Sequence, residues 1–341
     1  MSGSGPNSRW TTNEKATRQV GVWRVFSSFQ VTGSQKMSAA KKKERELRGV
    51  IPAIITPLRQ DGKVHEKLLE KHVAYLARAG VHGFLVNGTT GEGPFLSKED
   101  RRDTFRIVQA VSGRNQFLCL GCLLPSTELT LEEISAFQSL EPDFIVVTSP
   151  YYFKVSQGEM FRHFERIARR SPFPVIVYNI PQFTQNKIEY EAMLEIASLD
   201  NVVGFKDSSG DFITFSRVLS QKKGEDFAWI MGEDYLGAAG LMIGARGMVT
   251  GLGNVWVEPY VEMYRAAEKR DFKETLKWQE KINRLYEVIR TARDRGVPAV
   301  KAAASLLGRS EKWLKEPILP VNDEELSKIE RVLRNLGLNP A

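Results

Sequence analysis

The chain has 341 residues but only two cysteines and four histidines, and this scarcity limits its chemistry. His65, His72, His82 and His163 stand at no metal-ligand spacing and no H-E-x-x-H occurs, so structural or surface roles are expected for all four. Cys119 and Cys122 form a C-x-x-C inside an apolar segment. Redox and metal pairs of that form sit at turns or helix starts, whereas residues i and i+3 of a strand face opposite ways. Both cysteines are therefore expected to be packing residues. No apolar run approaches the roughly 20 residues needed to span a bilayer, and none near the start resembles a secretory signal, so no membrane partner is expected.

An excess of charge is also missing from most of the chain. The net charge of +7 divides into +4 for residues 1–36 and +3 for residues 37–48, leaving the remainder balanced. A nucleic-acid footprint on the body is thereby disfavoured. Residues 1–48 are rich in Ser, Gly, Asn, Gln and Thr without sustained periodicity and read as a flexible amino-terminal tail. Residues 1–36, poor in acids and containing Ser and Arg, have two readings: a mitochondrial transit segment, or residues ahead of a start at Met37. The second is preferred. Two cysteines without a secretory signal fit a reducing, cytoplasmic setting, or a mitochondrial one if the transit reading holds.

From residue 50 the pattern changes to short, β-branched apolar runs: 50–55, 82–87, 117–122, 144–148, 175–179, 202–206, 228–231 and 247–251. Helix signals fill the intervals. Ser156 with Glu159 makes a capping box ahead of an apolar stripe, and Ser97 with Asp100 starts another helix that Gly113 can end. Eight alternations of strand and helix predict an α/β fold of the (β/α)8 TIM-barrel type over residues 49–270, followed by a carboxy-terminal helical extension over 271–341. A doubly wound open sheet is the alternative, disfavoured by the count.

In such a barrel the chemistry lies at the carboxyl ends of the strands. The sixth run ends in Lys206, followed at once by Asp207-Ser208-Ser209-Gly210. A lysine at the rim of an apolar core carries an amine that is costly to keep charged, and a neutral amine can attack a carbonyl to form an imine. The alternative is a surface lysine ending a strand. Strand two ends in Gly88-Thr89-Thr90-Gly91-Glu92-Gly93, whose amides and hydroxyls can hold a carboxylate but which lacks the Gly-Lys-Ser/Thr ending of a P-loop. Strand four ends in Ser149-Pro150-Tyr151-Tyr152, and strand five in Tyr178-Asn179-Ile180-Pro181. A phenol and a threonine hydroxyl near an amine can pass the protons that imine formation and carbon–carbon cleavage require.

Together with Gly204-Phe205-Lys206-Asp207, Gly232 and Asp234, these motifs resemble, in combination and order, the pyruvate-dependent class I aldolases. That family includes dihydrodipicolinate synthase, N-acetylneuraminate lyase and 2-keto-3-deoxygluconate aldolase. The resemblance covers residues 49–336. It implies a Schiff base between Lys206 and the keto carbon of pyruvate or another 2-keto acid, with Tyr178 as the acid/base. It also implies a proton relay completed by Thr89 and Tyr152, the latter reaching in from a neighbouring subunit of a homo-oligomer, a dimer of dimers. Thr89 and Thr90 would hold the pyruvyl carboxylate, while Ser208, Gly232, Asp234 and Tyr235 would contact the rest of the substrate. No metal or organic cofactor is implied, since the protonated imine is itself the electron sink.

The departures from the family pattern concern the substrate. Dihydrodipicolinate synthases generally carry an arginine two residues after the proline of the tyrosine strand, where this chain has Phe183, preceded by Gln182. Phenylalanine offers a carboxylate no bidentate contact. The segment 150–156 and Lys206-Asp207-Ser208 look closer to sugar-acid aldolases. Tyr235 and Gly251 stand where neuraminate lyases usually have an acidic residue and a nearby serine. The expected function is a lyase reversibly cleaving a 2-keto-3-deoxy sugar acid to pyruvate and a small aldehyde. The alternatives are dihydrodipicolinate synthase and a non-catalytic keto-acid-binding member of the fold.

Overall fold

The computed structural model describes residues 46–221 and 227–340. The expected tail lies outside the described residues as far as residue 45. From Glu46 onward the chain is packed: Leu47 is buried among inward-facing barrel side chains, and Arg48 pairs with Glu46 and Glu268.

Eight parallel strands form the barrel: β1 (Gly49–Pro52), β2 (Gly83–Val86), β3 (Phe117–Cys122), β4 (Phe144–Thr148), β5 (Val175–Asn179), β6 (Val202–Asp207), β7 (Ala228–Met231) and β8 (Gly247–Thr250). Hydrogen bonding runs from β1 through β8, β7 and onward to β2. A parallel bridge between Ala53 and Leu85 closes the ring between β2 and β1, which rules out the open doubly wound sheet.

The strands read as unbroken apolar runs because both of their faces are covered. Leu85, Cys119, Val146, Ile176, Tyr178, Ile230 and Val249 fill the interior. Val86, Leu120, Cys122, Val147, Val177, Phe205 and Met231 pack outward under the helices. The two free cysteines thus lie on opposite faces of β3, as strand geometry requires.

The helices are α1 (Glu66–Arg78), α2 (Lys98–Val111), α3 (Thr127–Phe137), α4 (Gln157–Arg170), the one-turn α5 (Pro181–Thr184), α6 (Tyr190–Ala197), α7 (Phe212–Ser220), α8 (Gly237–Met242) and α9 (Glu258–Glu268). Ser97 accepts the Asp100 amide at the start of α2, and Ser156 with Glu159 forms a full capping box on α4. Beyond the barrel come α10 (Phe272–Leu285), α11 (Glu287–Thr291), α12 (Gly296–Leu306) and α13 (Asp323–Asn335). The extension is not peripheral. From Pro298 to Ala304 every residue of α12 is buried, and that helix touches the turn after β8.

Candidate active site

β5 and β6 pair so that Tyr178 lies directly beside Lys206. Both side chains point into the barrel and both are buried. The Lys206 Nζ sits 3.6 Å from the centroid of the Tyr178 ring. In its charged form the amine is held against the ring's negative face. In its neutral form it keeps a lone pair at the mouth of an apolar barrel, with the phenol next to it.

The loop after β6 is tied down by hydrogen bonds. Asp207 points away from the barrel interior, accepting from the Ser209 amide and hydroxyl through Oδ1 and from Asn179 Nδ2 through Oδ2. Burial raises its carboxyl even so. Ser208 Oγ donates to the Gly232 carbonyl at 3.0 Å. A Cβ at Gly232 would lie 2.2 Å from Ser208 Oγ and 2.8 Å from the Asp207 carbonyl oxygen, so a larger residue there would displace the β6 loop.

Asp234 follows β7. Its carboxyl is buried beside the Thr250 and Tyr260 hydroxyls, and its backbone carbonyl accepts from Gln279 Nε2 of α10. Burial, above all, raises the Asp234 carboxyl, and burial with the neighbouring Asp234 charge raises Glu233. Tyr235 stacks on Tyr286 at 4.0 Å, with the Arg290 guanidinium 5.8 Å from its centroid.

Thr89 and Thr90 lie in the turn after β2. The Glu92 amide donates to the Thr89 carbonyl, Gly93 N–H to the Gly88 carbonyl, and Thr56 Oγ1 to the Gly91 carbonyl. Gly93 passes so close to the preceding chain that a Cβ would lie 1.9 Å from the Asn87 carbonyl oxygen. Arg101 braces the far side of the turn, donating to the Leu96 carbonyl while paired with Glu133 at 2.7 Å.

Tyr152 behaves differently from the other candidates. It adopts φ +78°, is 87% exposed, and rests edge-on against Phe153 with ring centroids 5.0 Å apart. Its ring is turned outward from the barrel. The Tyr151 hydroxyl, by contrast, donates to the Leu123 carbonyl. Gln182 Nε2 donates to the Ser208 carbonyl at 2.6 Å, and Phe183 is 66% exposed.

Several side chains that shape the site escaped the reading from sequence. Asn186 Nδ2 donates to the Pro150 and Phe153 carbonyls while its Oδ1 accepts from Val155 N–H, which fixes the turn bearing both tyrosines. Gln279 holds the β7 loop from α10, donating to the Asp234 carbonyl and accepting from Ala238 N–H. Glu92 meets Lys301 of α12 in a buried ion pair of 2.6 Å. None of these carries a local sequence signal, because each partner is about 30 to 210 residues away.

A model of the dihydrodipicolinate synthetase family matches residues 46–336. A 4-hydroxy-tetrahydrodipicolinate synthase of Methanospirillum hungatei is 31% identical over 287 residues, covering 84% of this chain and 98% of that protein. An uncharacterised DapA-like lyase of Thermococcus onnurineus is 31% identical over 298 residues, covering 85% and 99%. Among solved structures, a prophage protein of the dihydrodipicolinic acid synthase family from Escherichia coli, in complex with pyruvate, superposes with a TM-score of 0.81 at 25% identity, covering 86% of this chain and 99% of that one.

Proposed function

The chain belongs to the dihydrodipicolinate synthetase family and is a lyase, and from that premise we propose that it cleaves a 2-keto-3-deoxy sugar acid to pyruvate and an aldehyde through an imine on Lys206. The observation that carries the chemistry is the buried contact between the Lys206 amine and the Tyr178 ring. The amine attacks the keto carbon, the carbonyl oxygen leaves as water, and a protonated imine remains. Tyr178 gives up its phenolic proton to the departing water as the imine forms, and the resulting phenolate takes the proton from the C4 hydroxyl as the C3–C4 bond breaks. The bond's electron pair passes into the imine to give an enamine, and the aldehyde departs. Protonation at C3 and hydrolysis then release pyruvate and restore the amine. Thr89 and Thr90 hold the carboxylate, Thr89 and the Tyr152 of a second subunit complete the proton path, and Ser208, Gly232 and Asp234 line the substrate's far end. The same steps in reverse make the carbon–carbon bond.

The family relatives named as synthases favour a second reading, condensation of pyruvate with aspartate semialdehyde by the same lysine. Against it stands the turn after β5, where Gln182 is committed to the Ser208 carbonyl and Phe183 replaces a guanidinium. The pyruvate half of the proposal is tested by reduction with borohydride in the presence of pyruvate. One reduced pyruvyl group is expected on Lys206, and none in Lys206→Ala. Label on another lysine, or no label, overturns the imine.

A further inference from the structure

The carboxylate of Glu92 is directed away from the barrel mouth into the carboxy-terminal extension. Its Oε1 meets Lys301 Nζ of α12 at 2.6 Å, both side chains being sealed from solvent. Its Oε2 accepts the Lys315 amide at 2.7 Å, and the Lys315 ammonium closes on Asp100 of α2 at 3.0 Å. Glu92 itself occupies the left-handed region at φ +60°, and its amide donates to the Thr89 carbonyl. A left-handed glutamate and a dehydrated ion pair are an unfavourable way to attach a helix, since desolvation cancels most of the attraction and an apolar pair would pack as well. What the pair supplies that apolar packing would not is direction: two acceptor oxygens held from two separate segments orient the turn that carries Thr89 and Thr90.

We propose that Glu92 and Lys301 are positioning residues through which the carboxy-terminal helices set the grip of Thr89 and Thr90 on the substrate carboxylate. The inference rests on the reading of those threonines as the carboxylate holders. It distinguishes two properties of one site: the imine bond belongs to Lys206, with the proton path through Tyr178 and Thr89 setting how fast it forms, whereas equilibrium affinity for a keto acid depends on α12. Burial pulls the Lys301 ammonium below the ordinary lysine range, against the opposing pull of the Glu92 carboxylate.

The test compares pyruvate with acetaldehyde, a carbonyl without a carboxylate, by borohydride trapping on the Lys206 peptide in the unaltered enzyme and in Glu92→Gln/Lys301→Met. The concentration of pyruvate giving half-maximal trapping is expected to rise about tenfold or more, with the maximum extent and the acetaldehyde curve unchanged. Lys301→Arg, which keeps the charge pair, is expected to remain nearer the unaltered enzyme. If the double variant does not fold, Glu92→Gln alone, which retains an acceptor for the Lys315 amide, carries the same comparison. Equal shifts for both carbonyls, or a shift for neither, overturn the proposal. Failure of the unaltered enzyme to trap pyruvate overturns the imine itself, a result visible before any variant is made.

Discussion

Phe183 is 66% exposed on α5, and its neighbour Gln182 is already spent on the Ser208 carbonyl. A substrate carboxylate arriving at this turn would find no guanidinium from these two residues. Losing a bidentate charged contact costs about 2 to 5 kcal/mol where the remaining charge is poorly paired, or roughly 30-fold to several thousand-fold in kcat/KM. The enzyme should therefore act poorly on aspartate semialdehyde with pyruvate and better on glyceraldehyde. Phe183→Arg should raise kcat/KM for the semialdehyde by about tenfold or more while leaving glyceraldehyde little changed. Steady-state kinetics with both aldehydes check this, and a clear preference of the unaltered enzyme for the semialdehyde overturns the sugar-acid reading. Lys206 and Tyr178 could be read from sequence because each lies at or next to the end of an apolar run. Asn186 and Gln279 could not, because they act by bonding carbonyls and amides of distant segments, which any polar residue does without a pattern.

At the scale of elements, strands and helix starts were legible for opposite reasons. The strands stand out because burial on both faces removes polar residues from them, and their limits moved only at the ends: β1 stops at Pro52 rather than at 55, and β6 runs on to Asp207. Helix starts stand out because the capping side chain lies within three residues of the amide it satisfies. The burial of α12 was not legible, since its Ala-rich run fits a surface helix as well as a packed one. Burial has a further consequence in α4, which carries His163 on its inner face with Nδ1 2.8 Å from Thr127 Oγ1. Burial lowers this histidine from 6.5 to about 4. The unfolded chain thus takes up a proton below pH 6.5 that the folded chain refuses until about pH 4, so stability falls as pH drops through that window and levels off below it. Between pH 7 and pH 5 the loss from this residue is about 2 kcal/mol. Urea unfolding at the two pH values should show a correspondingly shallower loss in His163→Gln. An identical slope in both proteins would show that His163 is not held neutral by the fold.

For the whole molecule, the contrast between the sealed pair Lys206–Tyr178 and the outward Tyr152 bears on assembly. A tyrosine strained to φ +78° and left 87% exposed contributes little to the packing of its own barrel. Asn186 nonetheless holds its turn by three hydrogen bonds, and Phe153 beside it is likewise exposed. A fixed turn presenting two bare aromatic rings fits a two-fold interface in which each copy completes the other's relay. On the proposed shared relay, complementation is expected. Tyr152→Phe and Lys206→Ala are each expected to be nearly inactive as pure proteins, because one lacks the phenol it lends and the other the amine that reacts. When subunits of the two are exchanged at random, half the pairs are mixed, and each mixed pair joins one intact Lys206 to one intact Tyr152. About a quarter of all sites then become complete, so mixing should restore roughly a quarter of the unaltered activity. Activity that stays at the level of the separate variants, despite exchange demonstrated by a mass tag on one of them, would place the whole relay within a single subunit.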